Sequence, residues 1–117
     1  MSTIKRHAPY GGILHEVVEH NGTLYLAGIV AEDLTLDMQG QAKDVMRQLK
    51  TLLEANGSDL GKVLQATIYF SDLNQKPAFD AVWKAEIGEN RMPARAGIGV
   101  ADLGENVLLE MVAIAAR

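Results

Sequence analysis

Residues 93–101, PARAGIGVA, decide how the second half of this chain folds, because a helix-ending proline precedes a strand-like pattern. Successive side chains of a strand point to opposite faces of the sheet. Ala94, Ala96 and Ile98 therefore share one face, and Arg95 shares the other with two glycines. The pattern predicts a plain core face, and a second face where a lone cation lies beside bare backbone.

Gly97 and Gly99 give that second face its functional interpretation. Glycine weakens a strand interior and often marks a place where something approaches the backbone closely. We expect space for a small anion beside Arg95, because a guanidinium binds a carboxylate through two parallel hydrogen bonds. The alternative is that Arg95 pairs with Glu110 across adjacent strands or faces solvent.

Glu110 is the second charged residue in an otherwise apolar strand, the segment LLEMVAI at residues 108–114. An unpaired buried carboxylate is costly, so packing alone does not account for a glutamate there. Glu110 could hold Arg95 or direct a water molecule.

The composition excludes several classes of protein. The 117 residues include 48% hydrophobic and 22% charged residues, no cysteine, and a formal net charge of -4. This length predicts a single domain over residues 1–117. No apolar run could cross a bilayer and the N-terminus carries no secretory segment, so we expect a cytoplasmic protein without a membrane partner. The negative charge and the 5% aromatic content argue against nucleic acid as a partner.

Apolar periodicity predicts the order β-β-α-β-α-β-β. Two runs, 17–18 and 24–30, flank an Asn-Gly turn and predict a hairpin. Helical spacing predicts helices from 38 to 55 and from Pro77 to about Ile87. The residues on the apolar face of each helix are Met38, Ala42, Val45, Met46, Leu49, Leu52 and Leu53 in the first helix, and Phe79, Val82, Trp83 and Ile87 in the second.

Three further strands complete the predicted fold. Residues 63–72 alternate, with Leu64, Ala66, Ile68 and Phe70 on the buried face, and PARAGIGVA forms the next strand. The closing segment 106–116 is apolar enough to be buried on both faces. This order predicts an α+β fold in which both helices pack on one face of a mixed sheet.

The remaining candidate residues give weaker signals. His7, His15 and His20 lack metal-ligand spacing, so we expect no metal site, and no motif points to a cofactor. Gly28 lies within the strand-like stretch LAGIVA, where it could form a bulge, a bend or the wall of a pocket.

Four segments in this order resemble the RidA/YjgF family of reactive-imine deaminases, also called the endoribonuclease L-PSP family. They are LYLAGIVA at 24–31, LQATIYFSDL at 64–73, MPARAG at 92–97 and LLEMVAIAA at 108–116. The resemblance implies a chorismate-mutase-like fold and a homotrimer with three clefts at its subunit interfaces. The strongly apolar terminal strand is consistent with such an association.

The resemblance also implies roles for individual residues. The arginine matching Arg95 binds the substrate carboxylate, the glutamate matching Glu110 positions or activates a water, and backbone near Ala27 and Gly28 completes the pocket. This sequence departs from the family at Gly97, where many members have cysteine. It also departs at Ala27, where a hydroxyl residue is frequent, and at Asp80, where asparagine is frequent. Tyr10 is offset from the family's N-terminal tyrosine, and His15 could take its region.

The reaction that the resemblance implies is hydrolysis of amino-acid-derived imines or enamines to 2-keto acids and ammonia, without metal or cofactor. Two alternatives of the same fold are a non-catalytic module that binds a keto acid or amino acid, and an aminomuconate-type deaminase with a larger pocket. RNA cleavage, which the older family name suggests, is disfavoured by the negative charge and by the absence of a histidine beside Arg95 in the sequence.

Overall fold

The computed structural model describes residues 3–117, and within them six strands form one sheet accompanied by two α-helices. The strands are β1 (Lys5–Tyr10), β2 (Leu14–His20), β3 (Thr23–Leu26), β4 (Val63–Phe70), β5 (Ala94–Gly99) and β6 (Leu109–Ala116), and the helices are α1 (Met38–Ala55) and α2 (Lys76–Ile87). Neighbouring strands are antiparallel except β4 and β5, which are parallel and joined through α2. The predicted mixed α+β sheet is confirmed.

The last strand in chain order occupies the middle of the sheet. The spatial order is β1-β2-β3-β6-β4-β5, so β6 pairs with β3 on one side and with β4 on the other. Both helices contribute to one buried apolar core on a single face of the sheet, as predicted. The β6 residues that face this core are Leu109, Met111, Ala113 and Ala115.

Helix α1 has the limits that its sequence pattern predicts. Asp37 caps its start by accepting a hydrogen bond from the Gly40 N–H at 2.9 Å. Asn56 caps its end, and Gly57 follows with a positive φ of 77°, a conformation that costs glycine little. In α2, the predicted face of Phe79, Val82, Trp83 and Ile87 is buried.

The Asn-Gly hairpin is confirmed, but its second strand is shorter than predicted. Asn21 and Gly22 both have positive φ values, 53° and 75°, as a tight turn of the primed type requires. β3 ends at Leu26 rather than at residue 30, and beyond it only Ile29 bridges β6. The chain leaves the ladder around Gly28, which therefore marks a bend rather than a strand interior.

The N-terminal strand β1 is absent from the predicted order. It pairs antiparallel with β2, from Lys5 opposite Glu19 to Tyr10 opposite Leu14. Its sequence KRHAPY is polar and mostly exposed, so it carries no apolar alternation that could reveal a strand.

One prediction of burial is wrong, and a second is not met within a single protomer. Leu64 is 51% exposed because a bulge between Val63 and Gln65 shifts the alternation, which places Val63 in the core instead. β6 was expected to be buried on both faces, yet the face that carries Glu110, Val112 and Ile114 is only half-buried. Both helices cover the opposite face, and no element of residues 3–117 covers this one completely.

Candidate functional site

The face of β5 that carries Arg95 lies against the helices, which reverses the sequence prediction. Residues opposite each other on neighbouring strands share a face, and Arg95 lies opposite Ala66, which is fully buried. The other face, with Ala94, Ala96 and a 42% exposed Ile98, was predicted to be core and is instead exposed. The prediction failed because Phe79 and Trp83 of α2 pack against the Arg95 side chain rather than against apolar residues of β5.

The space beside the two β5 glycines is filled by the protein itself. A Cβ atom at Gly97 would lie 3.3 Å from both Lys76 Cε and Phe70 Cε2. A Cβ at Gly99 would lie 2.8 Å from Leu73 Cδ1. The glycines therefore admit the chain that leads into α2, and the predicted opening for an anion at this point is wrong.

Arg95 is held between two aromatic rings and a carboxylate. Its guanidinium carbon lies 5.6 Å from the ring centre of Phe79 and 5.3 Å from that of Trp83, which favours cation–π attraction. Its Nη2 donates a hydrogen bond to Asp80 Oδ1 at 2.6 Å. The second oxygen of Asp80 accepts a hydrogen bond from Lys76 Nζ at 2.8 Å. α2 thus supplies every group that fixes this arginine.

Asp80 is ionised at neutral pH in this setting. Burial by itself would raise the pKa of Asp80, but hydrogen bonds from Lys76 and Arg95 outweigh burial and hold the pKa below its ordinary value. The result is a fixed chain of alternating charges, Lys76–Asp80–Arg95.

This chain of charges opens into a cleft of about 580 Å³. Its lining residues are Asp80, Trp83, Lys84, Glu89, Met92 and Arg95, and we call it the Arg95 cleft. The guanidinium is partly exposed in it, with 18% of the side chain accessible. Arg95 and Asp80, both named as candidate binding residues from the sequence, therefore lie together in one concave site.

Glu110 lies on the other face of the sheet. It alternates with Leu109 and Met111, which face the helices, and it lies opposite Tyr69 on β4. Gly28 passes beneath its carboxylate, where a Cβ atom would collide with Glu110 Oε2 and would lie 2.9 Å from Cδ. The structure therefore brings Glu110 together with Gly28.

Glu110 and Arg95 do not pair within one chain. β4 lies between their strands, and their side chains project from opposite faces of the sheet. The predicted alternative of a direct cross-strand ion pair is therefore wrong within one chain. The sequence shows that each charged residue lies in an apolar strand, but it does not show which face of the sheet each side chain occupies.

A second cleft, of about 400 Å³, lies near Gly28. We call it the Gly28 cleft, and its lining includes Tyr10, Leu14, Glu16, Ala27 and Gly28. Ala27 and Gly28 are two of the candidate binding residues. His15 is not among the residues that line this cleft or the Arg95 cleft. Tyr10, which pairs with Leu14 at the end of β1, does line the Gly28 cleft.

Among the residues that sequence reasoning missed are Trp83 and Tyr10, which line the clefts, and Lys76, which binds Asp80 from outside the lining. Trp83 was interpreted as core packing, yet it both lines the Arg95 cleft and lies beneath the guanidinium. Lys76 could have been found, because it precedes Asp80 by four residues on a helix, the spacing of an ion pair. Tyr10 belongs to the undetected strand β1.

Two features are absent from residues 3–117. No helix there has the length and apolar character needed to span a bilayer. No group of three or more His, Asp or Glu side chains in that range is arranged to hold a metal ion.

The fold and clefts define a class: a small mixed-sheet protein with an aromatic-stacked arginine in a surface cleft. The family model described as Endoribonuclease L-PSP matches residues 3–117. The chain belongs to this family, which is the RidA/YjgF family that its sequence segments resemble.

Individual relatives agree with that assignment. The RutC family protein YoaB of Escherichia coli is 32% identical over 101 residues, which are 86% of this chain and 88% of YoaB. A protein of Dermatophagoides farinae named 2-iminobutanoate/2-iminopropanoate deaminase is 28% identical over 109 residues, 88% of this chain and 84% of its own. The crystal structure of a YjgF family member from Neisseria meningitidis superposes with a TM-score of 0.90 at 28% identity, covering 98% of this chain and 95% of the other.

Proposed function

We propose that this protein hydrolyses reactive imines or enamines derived from amino acids and releases 2-keto acids and ammonia. The observation that carries the proposal is the geometry of Arg95 in its cleft. A guanidinium has five N–H donors, and the Arg95–Asp80 hydrogen bond uses one of them. The remaining donors can bind a substrate carboxylate, and the aromatic rings hold the guanidinium plane in place.

The reaction needs little beyond positioning. With the carboxylate bound to Arg95, water adds to the carbon of the C=N bond and gives a tetrahedral amino alcohol. Glu110 accepts a proton from the attacking water and passes it to the nitrogen, which completes the amino alcohol. The hydroxyl proton then moves through Glu110 to the nitrogen, the C–N bond breaks, ammonia leaves and the C=O bond forms. Imines hydrolyse in water without a catalyst, so holding the imine and the water together supplies much of the acceleration.

The proposed site contains residues of two protomers. Arg95 and Glu110 project from opposite faces of one sheet, so a site that contains both needs a second copy of the chain. We propose a homotrimer in which the Arg95 cleft of one subunit lies against the Gly28 cleft of the next. The open sheet face supports such association, because Tyr25 and Ile98 are exposed there and Val112 and Ile114 are half-buried.

The activity of a relative supports this reaction class. The Dermatophagoides farinae protein is named for deamination of 2-iminobutanoate and 2-iminopropanoate, which are both small imines with one carboxylate. Arg95 offers the group that such a carboxylate would require.

The test compares wild type with Arg95→Ala. An amino-acid oxidase generates the imine in situ, and semicarbazide traps whatever has not been hydrolysed. We expect faster loss of trappable imine with wild type, and a fall of about 100-fold or more in the variant, because a charge-assisted bidentate contact is lost. Arg117→Ala is the matched control, since Arg117 also pairs with a carboxylate, that of Glu19, at 2.9 Å but is not among the lining residues of either cleft.

A second candidate is a binding module that holds a keto acid or amino acid without turnover. The Lys76–Asp80–Arg95 chain is complete in one protomer and does not involve Glu110, which is consistent with simple binding. Keto-acid binding without imine hydrolysis would favour this module. The aminomuconate alternative loses its sequence argument, because Lys76 and Leu73 fill the space beside Gly97 and Gly99.

A further inference from the structure

Asp80 gives the Arg95 cleft a negative charge at the point where an anionic substrate would bind. Its Oδ1 lies 2.6 Å from Arg95 Nη2, and 26% of its side chain is accessible. A carboxylate bound to another edge of the same guanidinium would lie within about 6 Å of Asp80, where like charges repel appreciably. Asp80 therefore competes electrostatically with any anion that Arg95 binds.

The charges around the cleft leave room for one anionic group. The lining holds two cations, Arg95 and Lys84, and two carboxylates, Asp80 and Glu89. A third cation, Lys76, pairs with Asp80 from outside the lining. Three cations against two carboxylates leave one net positive charge. A ligand with a single carboxylate neutralises it, whereas a ligand with two carboxylates leaves the occupied cleft with a net negative charge.

We propose that Asp80 is a specificity-determining residue that restricts the Arg95 cleft to substrates with one carboxylate. The substrate class is then the imines of amino acids with uncharged side chains, and imines with a second carboxylate are disfavoured. This inference rests on the proposed function, because it assumes that a substrate carboxylate binds to Arg95. Trp83 and Met92, the apolar residues of the lining, are suited to contact an uncharged side chain.

A purely structural role for Asp80 would give a different result. If Asp80 only fixed the orientation of Arg95, its replacement would weaken the binding of all carboxylates alike. The ratio of two affinities separates these roles, since orientation affects both ligands equally and charge affects the doubly charged ligand more.

The experiment measures binding of 2-oxopentanoate and 2-oxoglutarate by calorimetry at low ionic strength. These keto acids have the same number of carbons and differ by one carboxylate. In Asp80→Asn, which keeps the side-chain shape and one oxygen, we expect the affinity for 2-oxoglutarate relative to 2-oxopentanoate to rise about fivefold. The rise should shrink at high salt, because salt screens partly exposed charges.

Two further variants keep the test sharp. Glu86→Gln makes the same charge change on an exposed residue of the same helix outside the cleft lining, and should leave the ratio unchanged. Lys76→Met removes a cation from the other side of Asp80 and should lower the ratio. This variant tests the same charge balance even if Asp80→Asn folds poorly.

Each outcome decides the question. A raised ratio in Asp80→Asn with an unchanged ratio in Glu86→Gln supports the inference. An unchanged ratio with both acids bound more weakly overturns the inference. If Arg95→Ala nevertheless abolishes the binding of both acids, the proposed carboxylate contact of Arg95 still stands. If wild type binds neither acid in an Arg95-dependent way, the proposed function fails and the inference fails with it.

Discussion

The two candidate charged residues, Arg95 and Glu110, are held in opposite ways. In the Arg95 cleft, the arginine is fixed by a hydrogen bond to Asp80 and by two aromatic rings, all from α2. Glu110 has no ion pair among residues 3–117 and lies over the bare backbone of Gly28. Arg95 is held in position by contacts within its own chain. Glu110 can lie where it does because Gly28 has no side chain. Binding and chemistry can therefore be altered separately.

The largest effect on this comparison is expected from Glu110→Gln. Loss of the base should lower kcat for imine hydrolysis by about 100-fold, the usual range for general-base catalysis. Keto-acid affinity should not fall, because the proposed contact between Arg95 and the ligand carboxylate is retained and one negative charge is removed from the site. The imine-trapping assay and calorimetry measure the two quantities, with Glu86→Gln as control. A collapse of affinity would show that Arg95 and Glu110 do not act separately.

A smaller effect is expected from Gly28→Ala. The added Cβ would collide with Glu110 Oε2 and would lie 2.9 Å from Cδ and 3.2 Å from Cγ, so the carboxylate must turn away. We expect kcat to fall about tenfold, with a stability loss of about 1 kcal/mol or less, since the flexible end of a side chain moves rather than backbone.

A double variant checks the cause of that loss. If Gly28→Ala acts through Glu110, it should reduce activity little further in a Glu110→Gln background. Fully additive losses would mean that the methyl group disturbs the cleft by another route.

The smallest effect concerns stability at low pH and sharpens the description of the Arg95 cleft. The folded-state pKa of Asp80 is lowered from an ordinary value of 3.8, because hydrogen bonds from Lys76 and Arg95 outweigh the opposing effect of burial. A carboxyl pKa that is lower in the folded state than in the unfolded chain stabilises the fold. The stabilisation is fully present above the unfolded-state pKa and is lost as pH falls through the folded-state pKa.

The measurement compares urea unfolding of wild type and Asp80→Asn across pH. Wild type should be more stable by about 1 kcal/mol at pH 7, allowing for the partial exposure of Asp80. The difference should vanish below the folded-state pKa, where both side chains are neutral. A difference that does not decline as pH falls below 3.8 would mean that shape, rather than charge, accounts for the effect of Asp80.

The sequence pattern was informative wherever local periodicity decides the structure. α1 begins and ends where its apolar spacing and the Asn-Gly signal indicate, and the buried face of α2 has the predicted residues. β1 was missed because KRHAPY shows no alternation and contains a proline, so only pairing with β2 makes it a strand.

The residues of the candidate site could be identified from the sequence, but their arrangement in space could not. Arg95, Glu110 and Asp80 were all identified as candidates, yet the face on which each lies depends on where α2 packs. The two glycines of β5 were interpreted as room for a ligand, whereas they make room for Lys76 and Leu73. A glycine reports close approach to the backbone, and the sequence does not say what approaches.

The central position of β6 also has a consequence for how the chain folds during synthesis. The hairpin β2–β3 with β1, and the pair β4–β5 with α2, can each form from neighbouring segments, but β3 and β4 share no edge. Only β6 joins them, by pairing with residues 23–25 on one side and with residues 63–70 on the other. A ribosome must therefore release residues 109–116 from its exit tunnel before the nascent chain can close its core. Until then two unfinished sheets expose their edges, which makes this interval the one in which a chaperone would have most to protect.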